Sequence, residues 1–395
     1  MRRRGAEGEA ILMRATAIRI AVLVIGIAMP VFAADPPVSA SPAGSWSPKA
    51  AATYLDYRQS WWMGWPVAAR DHDTFCVSCH TAVPYALARP SLRAALGENA
   101  PSAEERKLVD NVTKRVRMWD TVKPFYSDQG TGPHKTAQSR GTESVLNGLI
   151  LASYDARSGT LSPDTRTAFD AMWAQQQTSG DLKGAWSWLQ FDNEPFEAHD
   201  SDYYGAALAA VAAGTAPEGY LVTPSIQNNL KLLRDYLNRE YARQSPSNHA
   251  VLLWASAKWP GLLTRTQQDT IIHDILSAQR ADGGWSLATL AWTWRDWTTT
   301  TLLKLWWKSN ATPFEPKSDG YATGLMTYTL QQAGFSREDP HVQRGLAWLE
   351  RNQDKSEGRW PGYSLNNRVD PSSEMGHFMS DVGTAYAVLA LTAAP

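Results

Sequence analysis

The sequence predicts an all-α protein: a single closed ring of about five to six inner and outer helix pairs. Three observations lead there. From about residue 140 onward the chain repeats itself. Helices rich in small apolar residues, which must be buried on most sides, alternate with helices that carry one charged face. No stretch alternates polar and apolar residues with period two, so strands are expected to be minor.

Residues 1–34 read as an export signal. Arg14 and Arg19 precede the apolar run Ile20 to Ala28, and Val31-Phe32-Ala33 follows as an A-x-A-like cleavage site. Met13 is an alternative start, because the segment before it is charged and unlike a signal. An uncleaved anchor is the competing reading, but the apolar core is short for a span of about 20 residues. Cleavage near Ala33 or Ala34 gives a periplasmic or otherwise exported protein with no stable membrane span. Residues 35–47, rich in Pro, Ala and Ser, form a flexible lead-in.

Residues 48–135 form an N-terminal helical segment. Pro84 to Leu96 reads as an inner helix, and Ser102-Ala-Glu-Glu105 is a capping box opening an outer helix toward Trp119. Residues 136–395 are the repeat region, expected to pack with 48–135 as one domain. Its inner helices are Thr142–Ala152, Asp200–Ala213, Ser247–Trp254, Asp319–Leu330 and Asp381–Leu391, most opening on an N-cap type residue. The outer partners are 163–177, 224–242, 264–279 and 340–353.

Three outer helices end in a shared signature of Gln, a Gly-containing turn and Trp. It runs from Gln353 through Gly358 to Trp360, and from Gln279 through Gly283-Gly284 to Trp285. A looser copy runs from Trp173 and the glutamines up to Gln177 on to Gly184-Ala-Trp186. The Gln amide can bond backbone groups at the turn while the Trp ring packs over it, fixing the helix end.

These repeats resemble the QW motifs of squalene–hopene cyclases and related terpenoid cyclases, over about residues 140–395. The resemblance implies the α/α-toroid fold, which that family shares with protein prenyltransferases. It does not imply the chemistry. The Asp-x-Asp-Asp acid motif of alkene-protonating cyclases is missing; the nearest fragment, Asp200-Ser-Asp202, continues with Tyr203. The Asp-rich magnesium motif is also missing, the chain is too short for a hopene cyclase's second domain, and both cysteines lie near the N-terminus.

Those cysteines sit in Cys76-Val77-Ser78-Cys79-His80, the C-x-x-C-H pattern of covalent c-type haem attachment. Cys76 and Cys79 would tether one haem c, and His80 would be its proximal axial ligand. The sixth iron position is open or filled by His72, Met63, His134 or His199. Two strong ligands imply electron transfer, whereas an open position permits peroxide or oxygen chemistry. A Cys-x-x-Cys redox pair or local disulfide is one alternative. A zinc site built from Cys76, Cys79, His80 and His72 is another.

A second constellation is Glu194, Glu197, His199, Asp200 and Asp202, at the start of an inner helix. These residues are candidates for acid/base groups at a cavity mouth, set against plain helix capping and solvated loop acids. Glu143, His249 and Asp381 hold similar places on other inner helices. The aromatic runs Trp61-Trp62-Met63-Gly64-Trp65 and Trp292–Trp297 either line an apolar cavity or pack the core. They contribute to the outlying count of 18 Trp.

With a net charge of −1 and no basic cluster, a nucleic-acid partner is not expected. The sequence therefore points to an exported haem-bearing redox protein that binds or acts on an apolar, isoprenoid-like molecule, with a redox protein as a second partner. Two alternatives stand: a non-catalytic electron carrier or scaffold, and a haem-free cyclase relative lacking its acid motif.

Overall fold

Hydroxyl and carboxylate caps set where most helices begin. In the computed structural model the described residues are 46–128, 134–191, 193–198, 201–291, 317–365, 369–370 and 372–393. The export signal, most of the lead-in and the run Trp292–Trp297 lie outside them.

Twelve helices among these residues make six pairs. They are α1 (Pro48–Gly64), α2 (Ala82–Leu96), α3 (Ala103–Arg117), α4 (Lys135–Ser158), α5 (Pro163–Gln175) and α6 (Ser201–Thr215). The series continues with α7 (Gln227–Glu240), α8 (Pro246–Lys258), α9 (Arg265–Ser277), α10 (Gly320–Gln332), α11 (Pro340–Asn352) and α12 (Phe378–Thr392). The even-numbered helices form the inner wall. Each packs on the next, from α2 through α4, α6, α8 and α10 to α12, and α12 packs back on α2.

Outer helices stand behind this wall: α1 on α2 and α12, α3 and α5 on α4, α7 on α6, α9 on α8, and α11 on α10 and α12. The all-α ring expected from the alternation of small and charged helices is what forms. Among the described residues strand is confined to a two-stranded antiparallel ladder, β1 (Ala69–Arg70) with β2 (Thr74–Phe75), pairing Ala69 with Phe75. Among the described residues no helix is long and apolar enough to cross a membrane.

The Gln-Gly-Trp signature works as a staple between successive outer helices. Gln176 Nε2 donates to the Gly184 carbonyl at 2.9 Å and to that of Asn229, in the first turn of α7, at 3.1 Å. Gln279 Nε2 reaches Gly283 and His341, in the first turn of α11, each at 2.9 Å. Gln353 Nε2 reaches Gly358 and Ser47, the N-cap of α1, each at 3.1 Å. The third staple joins the last outer helix to the first and closes the ring.

The tryptophans complete each unit. Trp186, Trp285 and Trp360 are fully buried, and their indole N–H groups donate to Met172, Ile275 and Leu349 at 2.7, 2.7 and 2.8 Å. Each acceptor is a carbonyl one turn before the glutamine, in the last turn of the helix, where intrahelical donors run out. At Gly184 φ is +98°, and an added Cβ would meet the Leu232 carbonyl of α7 at 2.1 Å. Only glycine fits a left-handed turn pressed this closely on the neighbouring helix.

Several helix starts differ from the sequence reading, and two inner helices start three or more residues early. Helix α4 begins at Lys135, well before Thr142, and α12 begins at Phe378 rather than at Asp381. Asp381 is not a cap. It is buried inside the first turn, where Arg58 Nε and the Tyr54 hydroxyl both donate to it at 2.7 Å.

Candidate functional site

The segment 76–80 bridges the small β-ladder and the inner helix α2. Its entry is pinned from both sides: Asn111 of α3 bonds the Phe75 amide and carbonyl at 2.8 and 3.0 Å. The Cys76 amide donates to Ala68 at 2.8 Å, and Trp62 Nε1 donates to the Cys76 carbonyl at 2.6 Å. Ser78, inside the motif, starts the helix by accepting from the Thr81 and Ala82 amides at 3.2 and 3.0 Å.

These anchors place Cys76, Cys79 and His80 on one wall of a cavity of about 370 Å³. The other walls are largely aromatic and aliphatic: Trp62, Trp65, Tyr126, Phe191 and Phe378, with Met375 and Met379. His80 is held by its neighbours, its ring stacked on Phe378 at 3.7 Å and edge-on to Trp62 at 5.0 Å. Its Nδ1 lies 2.9 Å from the Thr81 hydroxyl, and Thr81 donates to Asp381 Oδ2 at 2.7 Å. Burial lowers the His80 pKa to about 3, so the imidazole is neutral.

Both thiols are free and buried. Burial pushes Cys76 up to about 12 and raises Cys79 well above the ordinary thiol range, where the Glu197 carboxylate adds to the rise. Glu197 lines the cavity and is hydrogen-bonded to the Cys79 thiol and to Asn193. Its own pKa is pushed up to about 7 by burial, against the pull of those two bonds and of Lys135. The loop carrying it folds back on itself: Glu197 N donates to Asn193 O at 2.9 Å, and Phe191 N to Glu197 O at 2.8 Å.

Of the second constellation, Glu197 alone among the described residues lines the cavity. Asp202 Oδ1 accepts from the Trp188 amide at 2.9 Å and so holds the turn before α6. Glu194 lies on the same loop outside the cavity lining, and His199 and Asp200 fall outside the described residues. Glu143 is buried against the Arg115 guanidinium, and His249 stacks on Tyr241 at 4.4 Å with Nε2 2.9 Å from its carbonyl.

The candidate sixth ligands that the structure describes lie away from the cavity. His72 is exposed on the β1–β2 turn, Met63 lines a separate groove beside Asp110 and Lys114, and His134 is exposed just before α4. The sulfur-bearing side chains in the cavity besides the two cysteines are Met375 and Met379, which the sequence reading did not single out. Their place beside the motif carries no local signal, because it rests on contacts such as Thr81 with Asp381, 300 residues apart.

No family model matches the sequence, and no curated protein does. Among solved structures the chain is similar to a polysaccharide lyase at 14% identity and TM-score 0.49, covering 87% of this chain and 95% of that one. It is also similar to two glycosidases at 12% and 11% identity, each with TM-score 0.47 and covering 87% of this chain and 97% of theirs. Likeness at this level says nothing about activity, and the ring architecture rests on the helix order above.

The aromatic run 61–65 divides between the two roles expected of it. Trp62 and Trp65 line the cavity, while Trp61 stacks on Trp65 at 5.1 Å beneath the Arg58 guanidinium. Outside the cavity lining, Tyr321 stacks on Tyr386 at 5.7 Å and on Phe196 at 6.4 Å. All three are buried, so side chains rather than open space occupy that part of the interior. Among the described residues the cavity beside Cys76–His80 combines aromatic walls with the carboxyl of Glu197.

Proposed function

We propose that this chain is an exported redox protein carrying one covalent haem c on Cys76 and Cys79, with His80 as proximal ligand. One observation carries the reading: both cysteines and the adjacent histidine of a C-x-x-C-H motif line a single aromatic cavity.

The side chains fit that group. Among the described residues no three His, Cys, Asp or Glu side chains converge on a point where a metal ion would sit. A tetrahedral zinc needs such convergence, and His72, the proposed fourth ligand, is on an exposed turn. A reactive thiol pair needs lowered pKa values, whereas burial raises both here. Bound in this place, a haem supplies a one-electron couple.

The open side of the cavity suits an apolar molecule or a redox partner protein. Val67, Phe191 and Met375 line it and are 57%, 40% and 46% exposed, unusual values for large apolar side chains. The cyclase alternative is weakened because Asp202 is committed to the Trp188 amide.

Expression with a cytochrome c maturation system tests the reading. The wild-type band on a denaturing gel should stain for haem, and Cys79→Ser should lose most of the stain. A colourless wild-type band would sink the proposal. Cyanide or carbon monoxide shifting the spectrum supports chemistry at an open iron position; an inert spectrum supports electron transfer alone.

A further inference from the structure

The two nitrogens of His80 are not equivalent, and the hydrogen bonds around it decide which one carries the proton. Thr81 has one hydroxyl proton and gives it to Asp381 Oδ2 at 2.7 Å. Asp381 is itself surrounded by donors: Arg58 Nε and Nη2 at 2.7 and 3.0 Å, and the Tyr54 hydroxyl at 2.7 Å. With its proton committed, the Thr81 oxygen can face His80 Nδ1, 2.9 Å away, only as an acceptor. Nδ1 is therefore protonated and Nε2 keeps its lone pair. Among the described residues Nε2 makes no hydrogen bond, and the ring lines the cavity.

We propose that Thr81, Asp381 and Arg58 are positioning residues that lock His80 in the Nδ1–H tautomer and set how strongly Nε2 donates to a haem iron. The proposal rests on the haem reading above. A histidine ligand whose second N–H is hydrogen-bonded is a better donor with a fixed ring orientation, and donor strength shifts the potential of the metal. Here the acceptor is a hydroxyl polarised by a buried carboxylate, itself neutralised by a guanidinium. Phe378 and Trp62 hold the ring plane from a face and an edge. The relay links α1 (Arg58, Tyr54), the start of α2 (Thr81) and α12 (Asp381), the first, second and last helices of the ring.

The test compares haem-loaded wild type with Thr81→Val and Thr81→Ser, measuring haem stain on a denaturing gel and the Fe(III)/Fe(II) midpoint potential. Valine keeps the shape of threonine but removes the acceptor, so Nε2 donates less and the ferric form loses stability. The redox equilibrium should move toward the reduced form by about tenfold, a rise of about 59 mV for one electron. Serine restores the hydroxyl and should return the potential to within about threefold of wild type. Should the valine variant fail to fold, Thr81→Ala removes the same acceptor with less bulk and carries the same expectation.

Stained wild type with an unmoved potential in Thr81→Val, or an equal shift in Thr81→Ser, overturns the relay and leaves the haem reading standing. A colourless wild-type band overturns both.

Discussion

Glu197 shows how far a single buried side chain can tie the cavity to solution conditions. Its carboxyl sits among Cys79, Asn193, Cys76 and Tyr126, with Lys135 as the favourable cation. Because burial raises its folded pKa from 4.5 to about 7, the folded state holds a proton that the unfolded chain has already released across that interval. The stabilisation is complete below the unfolded pKa and is lost as pH rises through about 7, a swing of about 3 kcal/mol. In protein with free thiols, urea unfolding between pH 4 and 8 should show stability falling over this window, and Glu197→Gln should flatten the slope. An unchanged slope in the variant would mean that another group titrates there. That Cys76, Cys79 and His80 share one site was legible because their spacing is local in sequence. Met375 and Met379 were not, since they meet the motif only through contacts as distant as Thr81 with Asp381, 300 residues apart.

At the scale of the element, the Gln-Gly-Trp turn separates two costs that glycine substitutions usually mix. Gly180 and Gly184 lie on the same turn with φ of +69° and +98°, but an added Cβ meets nothing at the first and the Leu232 carbonyl at 2.1 Å at the second. Gly180→Ala should cost only the left-handed backbone, about 1 kcal/mol. Gly184→Ala must also push α7 away and should cost about 2–4 kcal/mol. Chemical denaturation distinguishes them; equal losses would show that α7 is not pressed on the turn. The outer helices were readable from their charged faces and caps, such as the capping box at Ser102, which forms; the box that also forms at Thr264 was not singled out. The start of α12 was not, because Asp381 has the composition of a cap and the tertiary role of a buried ion-pair partner. Local pattern cannot separate those roles, since the arginine that decides between them lies on another helix.

For the whole molecule, the decisive event is closure of the ring, and it rests on residues that were not paired in the sequence reading. The Ser47 amide donates to Gln353 Oε1 at 2.6 Å, Gln353 Nε2 returns a bond to the Ser47 carbonyl, and Trp46 lies 5.9 Å from Trp360. The same chemistry at Gln176 and Gln279 joins segments 53 and 62 residues apart, but at Gln353 it spans 306. Loop-closure entropy grows only slowly with length, so the long span adds little cost; what differs is that the Gln353 staple joins the last outer helix to the first. Loss of the two bonds to Ser47, worth about 1 kcal/mol each, should therefore open the seam locally. Gln353→Ala is expected to speed hydrogen exchange by about tenfold at Ala50 and Ala51, whose amides bond Ser47. Gln176→Ala should leave those amides protected and loosen the first turn of α7 instead. Exchange that rises evenly around the ring in either variant would mean that the staples act on one cooperative unit and that closure has no seam. Because Arg58, Thr81 and Asp381 cross the same junction, a locally open seam should also loosen His80. Haem-loaded Gln353→Ala should then show a broadened or shifted haem spectrum, which Gln176→Ala should not.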